Sequence, residues 1–87
     1  MAPCSPASPL VPADPRLVAL GAAIRRARNA AGLSQEALAA ETGIDRSFLG
    51  HIERGAKNPS FLTLCRIADG VGIPPEHLVA ETFRPGG

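Results

Sequence analysis

Residues 34–55 constrain this chain more than any other stretch, because they form little besides two short helices joined through a glycine. Ser34 and Asp45 each stand where a side-chain oxygen can accept from a free amide of the first turn, so each opens a helix. Gly43 between them supplies the left-handed backbone that a tight helix-to-helix turn requires. Leu38 and Ala39 on the first helix, Ile44 in the turn, and Leu49 and Ile52 on the second fall at spacings that turn them to one side. Gly55 then stops the second helix.

The flanking residues continue with the same period. Asp14 caps a helix whose first position is Pro15, and Leu17, Leu20, Ile24 and Ala27 make one buried stripe running to about Ala31. Gly21 costs that helix about 1 kcal/mol against Ala, tolerable where another helix crosses closely. Gly32 ends it. After a loop at 56–59, Ser60 caps a further helix with Phe61, Leu64, Ile67 and Ala68 as its apolar stripe, closed by Gly70 or Gly72. Pro74 and Pro75 open a last short helix in which Leu78 points inward.

Leu, Ile, Val and Ala dominate the apolar share, Trp and Tyr are absent, and strand-favouring runs are missing. The expectation is an all-α fold of five helices in one domain over residues 14–83, with no internal repeat. A core in a chain of 87 residues buries only roughly 60% of the unfolded surface, so stability is modest and a partner would help. The length leaves no room for a separate catalytic or ligand-sensing module.

Outside the helices the sequence is plain. Residues 1–13 set Pro3, Pro6, Pro9 and Pro12 among Ala and Ser, with Pro15 just beyond, a composition that predicts an extended tail. An arm that probes the minor groove uses arginine, and none precedes Arg16. Residues 84–87 read as a short C-terminal tail. The first fifteen residues lack a charged leader and an unbroken apolar run, and nothing later would span a membrane. A cytoplasmic protein is therefore expected.

Cys4 and Cys65 match no metal-ligand spacing with His51 or His77 and are too few for a disulfide framework, which suits a reducing cytosol. No metal, cofactor or small-molecule ligand is expected. Without a nucleophile–base–orienter set or a glycine-rich phosphate loop, the chain does not read as an enzyme.

A formal charge of only +1 rules out indiscriminate attraction to nucleic acid, so any basic face must be local. Arg25, Arg26 and Arg28 share the first helix, while Arg46, Arg54 and Lys57 surround the third. In a helix-turn-helix the first of the two helices crosses the DNA backbone and the second enters the major groove. With Leu49 and Ile52 inward, Arg46, Ser47, Gly50, His51 and Arg54 turn outward. Arg46, in the first turn, can donate two bonds to guanine O6 and N7, a pairing worth about 1–3 kcal/mol of discrimination. Ser47 reads less sharply, and His51, one turn on, reaches a base edge or a phosphate. Gly50 would let the backbone approach the DNA.

Asp45 is assigned to capping rather than to DNA, since a carboxylate repels phosphates. Phe48 has two readings, one at the core edge and one against sugar and a thymine methyl. Phosphate grips are expected at helix N-termini, around Ser34 and Gln35 and around Ser60 and Phe61, with Arg54, Lys57 and Asn58 between them. Arg28 and Glu53 both fall near the inner sides of their helices, and a salt bridge between them is expected.

One five-helix unit reads too few base pairs for specific occupancy. Two-fold pairing would present two third helices about 34–36 Å apart, one turn of DNA. Val79 and Phe83, with Val71 or Ile73 nearby, are expected to leave apolar area exposed, and such a patch marks an interface.

Residues 20–79 resemble the Cro/Xre, lambda-repressor-like DNA-binding domains. The matching positions are Ile24, Arg28, Gly32-Leu33-Ser34-Gln35-Glu36, Leu38-Ala39, Gly43-Ile44, Ile52-Glu53-Arg54-Gly55, Pro59-Ser60, Leu64, Ile67-Ala68, Gly72-Ile73 and Leu78. Residues 44–55 are also similar to the small controller proteins of restriction–modification systems, which act as dimeric autoregulators.

The resemblance implies base contacts from Arg46, Ser47 and His51, and backbone contacts from Gln35, Arg54, Lys57, Asn58 and Ser60. It also implies the Arg28–Glu53 bridge. Controllers often carry Tyr where Phe48 stands, and the proline-rich tail lies outside the pattern. The reading is a sequence-specific regulator that binds double-stranded DNA as a homodimer on an inverted repeat. The alternative is the antitoxin half of a toxin–antitoxin pair, in which the same fold also holds a partner protein.

Overall fold

The computed structural model describes residues 14–84, and the tail expected over 1–13 and most of that over 84–87 lie outside them. Five helices follow in order: α1 Pro15–Ala30, α2 Gln35–Thr42, α3 Arg46–Glu53, α4 Phe61–Val71 and α5 Pro75–Thr82. Each boundary has a local cause. Asp14 accepts from the Arg16 amide at 2.9 Å, Ser34 from Ala37 at 3.0 Å, Asp45 from Phe48 at 3.2 Å and Ser60 from Thr63 at 3.1 Å. These bonds satisfy amides that a helix start otherwise leaves open. Between α2 and α3, Gly43 sits at φ 73°, the left-handed geometry that an L side chain disfavours.

The core gathers Ile24 from α1, Leu38 and Ala39 from α2, Leu49 and Ile52 from α3, Ile67 and Ala68 from α4, and Leu78 from α5, with Ile44 plugging the α2–α3 turn. Each helix buries one stripe against the others, so the elements stand only as a set. α1 packs on α5 and α3, and α2 packs on α3 and α4. Gly21 marks where α1 crosses the end of α3. A Cβ there would stand 2.3 Å from the Glu53 carbonyl oxygen and 2.5 Å from that of Ile52. The helix-weakening glycine is thus the condition for the crossing.

Two apolar placements differ from expectation. Phe61 is 74% exposed, although its spacing puts it on the α4 stripe. Phe61 instead borders a shallow apolar groove with Leu64, Pro75 and Val79. Val71 is buried in the core and so is no part of an exposed patch. It packs at the last turn of α4, on a separate groove between α1 and α5 that Ile73, half-buried, also lines.

Candidate nucleic-acid interface

α3 is carried on α2 by the glycine turn and fixed at its far end by Glu53. The Glu53 side chain is 0% exposed and that of Arg28 is 12% exposed. Arg28 grips it with both arms of its fork, Nε donating to Oε2 at 2.7 Å and Nη2 to Oε1 at 3.1 Å. Gln35, from the first turn of α2, donates through Nε2 to Oε1 at 3.0 Å. Arg25 adds a second guanidinium at 3.8 Å. Three helices therefore meet at one carboxylate, whose oxygens are satisfied as burial demands. The carboxylate also holds the Arg28 guanidinium in its charged form, raising its pKa above the ordinary arginine value despite burial.

Outside this node, α3 presents its polar face. Arg46 and Ser47 are exposed in the first turn, and Phe48 is half-buried against the core, which decides between its two readings in favour of the core edge. His51 is half-buried, and its Nδ1 lies 2.9 Å from Arg54 Nη2. Lys57 and Asn58 are exposed in the following loop, and Ser60 is exposed at the start of α4. Gly50 departs from the outward placement expected of it. It is buried, and the point a Cβ would occupy is 3.4 Å from Arg54 Nη1 and 3.6 Å from Gln35 Oε1. The missing side chain leaves a slot for two neighbouring side chains rather than for DNA.

Ion pairing sharpens the electrostatics. Arg16, Arg25, Arg26, Arg28 and Arg84 each lie within 4.0 Å of a carboxylate. Among the described residues, the cations outside such pairs are Arg46, Arg54, Lys57 and Arg66. Three of those four belong to α3 and the loop after it, so a chain of net charge +1 still has a local cationic surface there. Ser34 is exposed, and its cap uses the Ala37 amide, leaving those of Gln35 and Glu36 as first-turn donors.

Sequence reasoning missed two members of this arrangement. Arg25 precedes Arg28 by three residues, the spacing of helix neighbours, and that signal was present. The commitment of Gln35 to Glu53 had no such local signal. Among the described residues no group of three or more metal-ligating side chains gathers, and no helix is long and apolar enough to cross a membrane.

The two capped helices, the glycine turn and the cationic outer face define a helix-turn-helix. Residues 19–81 match the family model described as a helix-turn-helix domain, and the chain belongs to that family as a DNA-binding transcriptional regulator of the Cro/Xre type. It is 35% identical over 63 residues to an HTH-type transcriptional regulator, y4dJ, of Sinorhizobium fredii, a match covering 72% of this chain and 82% of that one.

Among solved structures it is similar to the restriction-modification controller protein C.AhdI from Aeromonas hydrophila. That likeness has a TM-score of 0.70 and 44% identity over 71% of this chain and 94% of the other. A second is the controller C.Esp1396I, solved as a tetramer in complex with its natural 35 base-pair operator. There the TM-score is 0.69 and the identity 27%, over 79% of this chain and 96% of that one. Against an HTH-type regulator of Mycobacterium tuberculosis, the match spans 22% of the relative's length.

Proposed function

We propose that this chain binds double-stranded DNA as a homodimer on an inverted-repeat operator, and that it regulates transcription there, including its own, in the manner of a controller. α3 is the recognition helix, with Arg46, Ser47 and His51 toward base edges. Ser34, Gln35 through its main-chain amide, Arg54, Lys57, Asn58 and Ser60 hold the phosphates on either side. The observation that carries this reading is that three of the four described cations outside carboxylate pairs, Arg46, Arg54 and Lys57, lie on α3 and the loop after it, beyond the glycine turn. Controller relatives, one of them solved on its operator, support it.

Pairing would use the apolar face formed by Val79, Phe83 and Phe61, which are 40%, 64% and 74% exposed. Leu64 and Val79 line both grooves of that face, so it is continuous from α4 to the start of α1. Ile73 lies off this face, on the groove between α1 and α5, and Val71 is buried in the core. The antitoxin alternative draws on the same exposed face, with a different protein as its occupant. Co-purification of a second chain bound to this face would point to the antitoxin.

The test is selection of bound sequences from a random duplex pool, followed by affinity measurements. Arg46→Ala should weaken specific binding by about 1–3 kcal/mol and relax the preference at one base position per half-site. Lys57→Ala should weaken binding evenly and lower the salt slope by about one. A base preference that survives Arg46→Ala refutes the assignment of the recognition face.

A further inference from the structure

The contact between His51 and Arg54 reaches beyond a list of candidate contacts, because it fixes what His51 can say to a base. A guanidinium has donors and no acceptor. Arg54 Nη2 at 2.9 Å from His51 Nδ1 therefore requires the Nδ1 lone pair, which leaves the proton of the neutral ring on Nε2. His51 in the last turn of α3 and Arg54 at its C-cap are three apart, at the spacing of helix neighbours. At Gly50 a Cβ would stand in ordinary contact with Arg54 Nη1, at 3.4 Å, so any longer side chain there meets the guanidinium. A bulky side chain at that point would displace the guanidinium from its place beside the imidazole.

We infer that Arg54 is a positioning residue for readout, which locks His51 as a donor through Nε2–H and so selects a base edge carrying an acceptor. This rests on α3 being the recognition helix. In the major groove the acceptors are guanine O6 and N7, adenine N7 and thymine O4, whereas cytosine offers a donor. At the position His51 faces, cytosine is rejected because two donors would meet without a partner. Arg54 then has two roles, since its remaining donors stay available to a phosphate.

Two measurements test this on the full chain. In long-range proton–nitrogen spectra of the free protein at alkaline pH, His51 should show the Nε2–H tautomer, and Arg54→Ala should return it to a mixture. A Nδ1–H tautomer in the unmodified chain overturns the inference without touching the DNA-binding proposal. In binding assays on the selected half-site, His51→Ala first locates its base position. There cytosine should cost the unmodified chain at least about fivefold in affinity. Arg54→Ala should lower overall affinity and also erase that penalty, while leaving the preference at the Arg46 position intact. The double variant should show no further loss of preference. If Arg54→Ala weakens all four bases equally with the penalty preserved, Arg54 is a phosphate grip alone and the inference fails. If the pool yields no preferred sequence, the recognition-helix reading falls and this inference with it. Thermal unfolding at one protein concentration confirms that each variant is folded.

Discussion

Removing Arg28 alone should cost this protein more than removing Arg28 and neutralising Glu53 together. The carboxylate of Glu53 is fully buried and accepts two bonds from Arg28 and one from Gln35. Arg28→Met keeps the aliphatic stem and deletes the charge. What remains is a buried anion with one amide and the Arg25 guanidinium at 3.8 Å. Stranding a charge in this way costs about 3–5 kcal/mol. A chain of this length has roughly 4–13 kcal/mol in total, so the loss is a large share of stability.

Glu53→Gln behaves differently. The amide keeps the shape, and Arg28, partly open to water, retains its bond to the Leu33 carbonyl at 2.9 Å. Its cost should be about 1–3 kcal/mol. The double variant removes the stranded charge and should be more stable than Arg28→Met by itself, which means a coupling between the sites larger than the cost of Glu53→Gln, up to about 3 kcal/mol. Urea unfolding followed by far-UV circular dichroism measures all four chains. A common protein concentration is needed because an oligomer's stability depends on it, and a shared slope licenses the comparison. Losses that simply add would refute the placement of these two residues in one network.

Gly21→Ala should severely destabilise the fold, because its Cβ would meet backbone oxygens at 2.3 and 2.5 Å, whereas Gly50→Ala meets only side-chain atoms at 3.4 Å or more. Melting curves should show Gly50→Ala gaining about 0.5–1 kcal/mol from helix propensity. The hydrogen bond from Arg16 holds the Asp14 carboxyl at about 2, below its ordinary 3.8. A folded value below the unfolded one means its contribution is complete above 3.8 and fades as pH falls through 2. Carboxyl NMR titration gives the value directly, and Asp14→Asn should flatten the acid limb of the stability curve. Val79→Asp with Phe83→Asp should give a folded monomer that binds one half-site weakly. Sedimentation of the unmodified chain as a monomer at high micromolar concentration would remove the proposed interface.

The helix boundaries were legible because capping is local: Ser34, Asp45 and Ser60 each act on an amide three residues ahead. The Gly21 crossing was legible too, as a cost that only close packing explains. Phe61 and Gly50 were not. Helical spacing gives the direction of a residue on its own helix, but burial needs a second element standing opposite. The first turn of α4 meets α5 only across a shallow open groove, so Phe61 is exposed on its proper stripe. At Gly50 the reverse holds, and side chains from positions 35 and 54 cover a position that faces outward on an isolated helix. Val71 was misplaced for the related reason that its neighbours on α1 lie more than 40 positions away in sequence.

Glu53 joins what could be read to what could not. A carboxylate in the last turn of a helix opposes the helix dipole, and its burial adds a desolvation cost, so local preference argues against acid at this position. Its value lies in geometry. Arg28 ties it to α1, Gln35 ties it to α2, and its own carbonyl closes on Gly21. These contacts seat α3 on the two helices beneath it. Leu49 and Ile52 alone would permit α3 to rotate or slide slightly over an apolar floor, because hydrophobic burial carries no direction. Hydrogen bonds at 2.7, 3.0 and 3.1 Å do carry direction, and they act one residue from Arg54 and two from His51. The buried acid therefore sets the orientation of the outer side of α3, the side that the proposed function turns toward base edges, with Arg54 next to it and 2.9 Å from His51.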